Sequence, residues 1–348
     1  MKILMTTDAA GGVWQYSLDL SAGLTGRGAE VALAVLGPRP SDAQRRQARA
    51  ISNLKIFESE YALEWMPNSW SDVDASGAWL LDRQARYGAD IIHLNGYSHA
   101  ALPWKRPVVS VAHSCVFSWW RAVHGCSPPP EWSEYQRRVT LGLSAASAIV
   151  APTAAMAENL QLDYPAAGKR AKVIYNFSSA PRPSTVKKAP LFFAAGRVWD
   201  EAKNLRMLSE LRSSLEWELR LADGTLCHED LLSEMAKASI FVHPALYEPF
   251  GLSVLEAARA GCCLLLADIP TLRELWEGAA VFVDPRQPGQ WTREMNRLAS
   301  DSQKCARLGS LAQIHSQRYE GENAIHQYWE LYQALMNGRH VGNEEAAA

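Results

Sequence analysis

The stretch His243-Pro244-Ala245-Leu246-Tyr247-Glu248-Pro249-Phe250-Gly251-Leu252-Ser253-Val254-Leu255-Glu256-Ala257-Ala258-Arg259-Ala260-Gly261 decides the fold class. The apolar run 240–243 ahead of it reads as a buried strand, the proline-flanked residues as a loop, and residues from Leu252 as a helix closed by Gly261. Gly251 at the helix start lets a ligand approach the backbone. The unpaired amides of Leu252 and Ser253, with the helix dipole, make an anion site suited to a phosphate. Glu248 precedes the helix and Glu256 lies in its second turn, so both carboxylates can face one ligand from different heights. Sugar and ribose hydroxyls are natural partners for them. Taken alone, the pair reads as solvated or salt-bridged carboxylates.

Working outward, the runs 191–195, 219–222, 263–267 and 281–283 repeat this alternation of strand and helix. In the first half, the runs 3–6, 31–36, 91–94, 108–112 and 148–151 do the same. Two α/β domains with parallel sheets follow. A length of 348 residues is also beyond what one core usually fills. The segment 178–190, rich in Ser, Pro and Lys, reads as the exposed connection. The expected organisation is therefore a Rossmann-like domain over 1–178 and a second over 179–320. Residues 321–348 would be a helix packing back towards the first domain, then a polar tail. Ile325, Tyr328, Trp329, Tyr332 and Leu335 give that helix its apolar face. Two doubly wound domains of this kind are expected to face each other across a cleft lined by loops at the carboxyl ends of strands.

An apolar fraction of 48% and a charged fraction of 21% exclude a disordered or fibrous chain. A net charge of -2 lacks the basic footprint of a nucleic-acid binder. No apolar run has the length of a membrane span and none at the start makes a signal peptide, so a cytoplasmic location is expected. Six scattered cysteines without a CxxC pair read as reduced, buried thiols. No His, Cys and carboxylate cluster has metal-ligand spacing. Asp72-Val73-Asp74 enters a helix from a polar stretch and reads as a solvated face. Gly26-Arg27-Gly28 lies between a helix and a strand, the reverse of a dinucleotide fingerprint, and no GxxxxGK[ST] occurs.

A second motif is Ala194-Ala195-Gly196-Arg197-Val198-Trp199-Asp200-Glu201-Ala202-Lys203-Asn204, where a strand ends at glycine and two cations follow. Arg197 and Lys203 can clamp a diphosphate, and stabilising a departing diphosphate is what glycosyl transfer requires.

Together these stretches resemble the retaining glycosyltransferases of the GT-B fold, family four, which include sucrose synthases and bacterial mannosyltransferases. The likeness spans nearly the whole chain. The family's pair of glutamates separated by seven residues matches Glu248 and Glu256. Its Gly-Arg followed by Lys matches Gly196, Arg197 and Lys203, with one extra residue between Arg and Lys. The resemblance implies that Glu256 binds the donor ribose, Glu248 the donor sugar, and Arg197 with Lys203 the diphosphate, while Phe250, Gly251, Leu252 and Ser253 line the sugar-phosphate pocket. In the first domain it matches Gly11-Gly12 to the family's glycine loop and His113 to its active-site histidine, in contact with the transferring sugar. Read without it, His113 is a satisfied structural histidine and Gly11-Gly12 a turn. Asn95-Gly96, after another strand, is a weaker candidate.

The family has a longer excursion after Arg220-Leu221-Ala222-Asp223-Gly224 than this chain has before the helix near His228. Asp223, Gly224 and Leu226 are assigned to a shortened base pocket. Trp119 and Trp120 read as packing residues or as acceptor-sugar platforms. The implied reaction is retaining transfer of a sugar from a UDP, GDP or ADP sugar to a hydroxyl of a glycan, a lipid-linked or a small-molecule acceptor. No metal or other cofactor is expected, and peripheral contact with the inner membrane face is left open. An epimerase or phosphorylase on the same fold, and a sugar-nucleotide binder without turnover, are the alternatives.

Overall fold

The structure is a computed structural model and describes residues 1–168, 170–180, 186–224 and 226–338. In chain order the strands are β1 (Lys2–Asp8), β2 (Glu30–Leu36), β3 (Leu54–Glu58), β4 (Ile91–Leu94), β5 (Val108–Val111), β6 (Ala148–Ala151), β7 (Ala171–Val173), β8 (Ala189–Ala195), β9 (Glu218–Ala222), β10 (Ala238–His243), β11 (Cys263–Ala267) and β12 (Val281–Val283). The helices are α1 (Gly12–Gly26), α2 (Asp42–Arg49), α3 (Trp70–Tyr87), α4 (Val116–His124), α5 (Ser133–Ala145), α6 (Ala154–Asp163), α7 (Pro165–Gly168), α8 (Leu205–Leu211), α9 (His228–Lys237), α10 (Leu252–Arg259), α11 (Pro270–Trp276), α12 (Pro288–Ala299), α13 (Ser302–His315) and α14 (Gly321–Met336).

The chain divides into two compact units. Unit 1 holds Met1–Ser118, Ser127–Phe177 and the chain from Gly321 on; unit 2 holds Trp119–Cys126 and Ser178–Glu320. The short segment Trp119–Cys126 thus belongs with the second sheet, although it lies within 1–178. Arg286 fastens it, donating to the carbonyls of Ala122 at 2.7 Å and Val123 at 3.0 Å.

Unit 1 is built on a parallel sheet of order β3-β2-β1-β4-β5-β6-β7. The central strands are the continuous apolar runs, since helices cover both faces. Strands β3 and β7 were not marked by such runs. They are edge strands, half-exposed, and they carry Lys55, Glu58 and Lys172. Helix α14 lies against α1, where a Cβ on Gly23 would overlap the Ile325 side chain. Tyr16 and Tyr328 join the two helices through their hydroxyls at 2.7 Å.

Unit 2 has the parallel order β12-β11-β10-β8-β9 around a core that includes Phe192, Phe193, Phe241, Trp276 and Trp291. Of the cysteines, Cys115, Cys262, Cys263 and Cys305 are buried as expected. Cys126 and Cys227 are exposed, which corrects the reading of all six as buried; both sit in loops, where no sheet or helix covers them. Among the described residues, no helix is long and apolar enough to cross a membrane.

Candidate active site

In unit 2 the strand order reverses direction between β8 and β10, the place where open parallel sheets leave a crevice at their carboxyl ends. Both motifs emerge there, Gly196-Arg197 after β8 and the loop to Glu248 after β10. That loop is stapled from three sides. Leu246 N donates to Ala202 O at 2.8 Å, and Asn204, at a φ of 53°, donates to the carbonyls of Pro244 at 3.1 Å and Pro285 at 2.9 Å. Thr271 Oγ1 donates to Glu248 O at 2.5 Å.

The result is a buried carboxylate with two donors on one oxygen. Lys203 Nζ lies 2.6 Å and His243 Nε2 3.1 Å from Glu248 Oε2. Burial alone would push the Glu248 carboxyl up, but the Lys203 ammonium and the His243 donor outweigh it and hold the group well below the usual carboxylate range. Gly251 stands at the start of α10 with a φ of 85°, and a Cβ there would come to 3.3 Å from Glu248 Cγ. The amides of Leu252 and Ser253 lie ahead of the first intrahelical bond, Val254 N to Gly251 O at 3.0 Å.

Glu256 is also buried, and its Oε1 meets His228 Nε2 at 2.7 Å. Strand β9 runs almost directly into α9, which starts at His228, so the short connection delivers a histidine to the second glutamate. Asp223, Gly224 and Leu226 lie exposed in that connection, and Thr225 is outside the described residues.

Arg197 Nη2 pairs with Asp200 Oδ2 at 2.7 Å, and its guanidinium lies 4.9 Å from the centre of the exposed Trp199 ring. Arg197 Nε is buried without a hydrogen-bond partner among the described residues. The other oxygen of Asp200 accepts from Ala202 N at 3.1 Å and Trp119 Nε1 at 3.4 Å. Trp119 is thus a half-buried donor to the loop that carries Arg197, with the Trp120 ring tilted against it and the His124 ring edge-on.

One expectation needs correction. The Phe250 side chain is turned into the core, edge-on to Tyr319 with ring centres 5.7 Å apart, so only its backbone is left to line a pocket. Asp72 and Asp74 are tied to Ala62 N and Arg138 respectively.

In unit 1 the reversal lies between β1 and β4. Gly11 and Gly12 follow β1, Gly11 as the residue capping α1 and Gly12 as its first residue. Asn95 follows β4 and His113 follows β5. His113 Nε2 lies 2.9 Å from Asn95 Oδ1, and its ring sits edge-on to Tyr16 at 4.4 Å. Burial, with the neighbouring His93, lowers the His113 imidazole to about 3.

The model of Glycosyltransferase Family 4 matches residues 10–178, and that of Glycosyl transferases group 1 matches residues 195–315. Together they take in well over half of the chain. The chain belongs to the glycosyltransferases of family four. A D-inositol 3-phosphate glycosyltransferase of Streptomyces bingchenggensis is 30% identical over 115 residues, 32% of this chain and 25% of that protein. The chain thus matches about a quarter of that relative's length. The fold is GT-B. Sucrose-phosphate synthase of Thermosynechococcus elongatus superposes with a TM-score of 0.80 at 15% identity, over 97% of this chain and 100% of that one. HepE of Anabaena, in complex with UDP and glucose, gives 0.75 at 18% identity over 96% and 100%.

Within this family-four frame, the structure brings together Lys203 and Glu248 directly, and places Arg197 and Gly251 on the same strand ends. His243 holds Glu248, Asp200 holds Arg197, His228 holds Glu256 and Asn95 holds His113, four pairings not legible in the sequence. His243 stands inside the motif itself, five residues from Glu248, so a signal for the residue, though not for its pairing, was present. His228 is 28 positions from Glu256, and nothing local links them.

Proposed function

We propose that this protein transfers a sugar from a nucleotide diphosphate donor to an acceptor hydroxyl with retention of configuration. The observation that carries the reading is the Lys203–Glu248 pair beside the start of α10 at the sheet's switch point. It places a half-buried cation and a buried, ionised carboxylate next to helix amides suited to phosphate oxygens. Arg197, with its unpartnered buried Nε, adds a second cation. The departing diphosphate is then stabilised by Lys203, Arg197 and the amides of Leu252 and Ser253, with no need of a metal. Glu248 orients donor-sugar hydroxyls, Glu256 the ribose, and Asp223, Gly224 and Leu226 meet the base. Support for a nucleotide-sugar donor comes from the family and from HepE, whose structure is a complex with UDP and glucose.

No side chain here is marked as a covalent nucleophile, so attack from the donor's leaving-group face is the consistent course. The acceptor oxygen forms the new bond to the anomeric carbon, the carbon–oxygen bond to the diphosphate breaks with its electron pair, and the acceptor proton passes to a phosphate oxygen.

Calorimetry with UDP, GDP and ADP, then with their sugar conjugates, tests this on wild type and Glu256→Ala. Selective binding of one nucleotide, weakened by the substitution, supports the reading and names the donor class. Binding of none overturns it. Binding with neither hydrolysis nor transfer to any acceptor leaves a sensor of sugar nucleotides, and release of an isomerised or phosphorolysed sugar leaves the rival enzyme classes.

A further inference from the structure

Between β9 and α9 the chain has only residues 223–227, and α9 opens on His228. The helix is held where it stands. Its Met235 and Ala236 are buried, it packs on α10, and Arg220 of β9 donates to Glu234 at 3.2 Å. His228 therefore reaches Glu256 from a fixed element, with Nε2 at 2.7 Å from Glu256 Oε1. A carboxylate oxygen only accepts, so the imidazole carries a proton on Nε2 and donates it there. Glu256 Oε2 has no hydrogen-bond partner among the described residues. The side chains are 4% exposed for Glu256 and 21% for His228, so the ring is the outer wall over Oε1.

The two oxygens of an open carboxylate can accept two neighbouring hydroxyls of a ribose at once. Here one oxygen is already taken, and a side chain so deeply buried leaves no room for a second donor on it. We propose that His228 is a positioning residue that makes Glu256 a reader of one ribose hydroxyl: Oε2 accepts that hydroxyl, and the other makes no bond to this carboxylate. The inference rests on the assignment of Glu256 to the donor ribose made above and deepens it, because it sets what the site can tell apart. A carboxylate with both oxygens open discriminates against either deoxyribose form of the nucleotide. With one oxygen covered, it discriminates against one form and tolerates the other, since only one lost hydroxyl leaves a polar group unpaired.

The test is calorimetry on the full chain with whichever of UDP, GDP and ADP it selects, beside the 2′-deoxy and 3′-deoxy forms of that nucleotide. In wild type one deoxy form should lose more than about tenfold in affinity, the scale of one hydrogen bond to a charged group, and the other less than about twofold. In H228A both oxygens are open, so both deoxy forms should lose affinity. H228Q, whose side-chain amide can donate to Oε1, should restore the one-sided pattern. The comparison is made within each variant, so a general weakening of the fold, which lowers all three affinities together, does not move it. If H228A does not fold, wild type and H228Q still decide. Equal affinities or equal losses for the two deoxy forms in wild type, or an unchanged pattern in H228A, overturn the inference and leave the donor reading intact. No binding of UDP, GDP or ADP overturns both.

Discussion

Lys203 Nζ and Glu248 Oε2, 45 positions apart in sequence, meet at 2.6 Å with their side chains only 20% and 10% exposed. Each belongs to a different motif, so the pair joins the loop after β8 to the loop after β10. A buried pair of this kind is costly to break, because the remaining charge keeps its desolvation penalty and loses its partner.

Lys203→Ala should therefore act twice. It should lower kcat/KM by about a hundredfold, the scale of one lost transition-state donor. It should also destabilise unit 2 by roughly 3 kcal/mol, since Glu248 would keep only His243. Steady-state kinetics and urea unfolding read the two effects separately, and unchanged turnover would remove Lys203 from the reaction.

Arg197→Ala should weaken nucleoside diphosphate binding by about tenfold, as expected for a charge-assisted contact at a partly exposed site. Nucleoside monophosphate binding should change much less. Calorimetry on both ligands checks the difference, and equal losses would place Arg197 elsewhere than at the second phosphate.

At Gly251 the positive φ and the close Val254 and Glu248 side chains both oppose a Cβ, which would sit 3.1 Å from Val254 Cγ2. Gly251→Ala should cost about 1–3 kcal/mol in stability and weaken anion binding by shifting the first turn of α10. Denaturant midpoints with and without the bound nucleotide measure both.

Acid should weaken unit 1 through its buried histidines. Burial lowers the His93 imidazole to about 4, although its bond to Asn95 pulls the other way. The unfolded chain, with an ordinary imidazole near 6.5, binds the proton first, so stability is complete above about pH 6.5 and declines as pH falls towards 4. The full loss from His93 is roughly 3 kcal/mol, and His113, lowered to about 3, extends the decline further. Unfolding midpoints between pH 7 and 4 should show this slope, and H93Q should flatten it.

Much of this was legible along the chain. Buried parallel strands must be apolar on both faces, so β1, β2, β4, β5, β6, β8, β10 and β11 stand out as short apolar runs; of the half-exposed edges, β9 and β12 keep enough apolar residues to be read, whereas β3 and β7 do not. The helix start at Gly251 was readable because a glycine ahead of an apolar helical pattern marks a place where a ligand can approach the backbone, and its φ of 85° is one that glycine adopts without strain.

The pairings were not legible, because hydrogen bonds between distant residues leave no periodic mark. Sequence alone determined the two-sheet class, the strand-end motifs and the family, through local patterns that depend only on near neighbours. Only the tertiary structure decided that Phe250 turns into the core and that Trp119 joins the second unit. It also decided that His228 meets Glu256 and that Tyr332 meets His93. Each of those depends on which strand ends and helix faces the folded sheets bring within a few ångströms, where burial forces every polar group to find a partner.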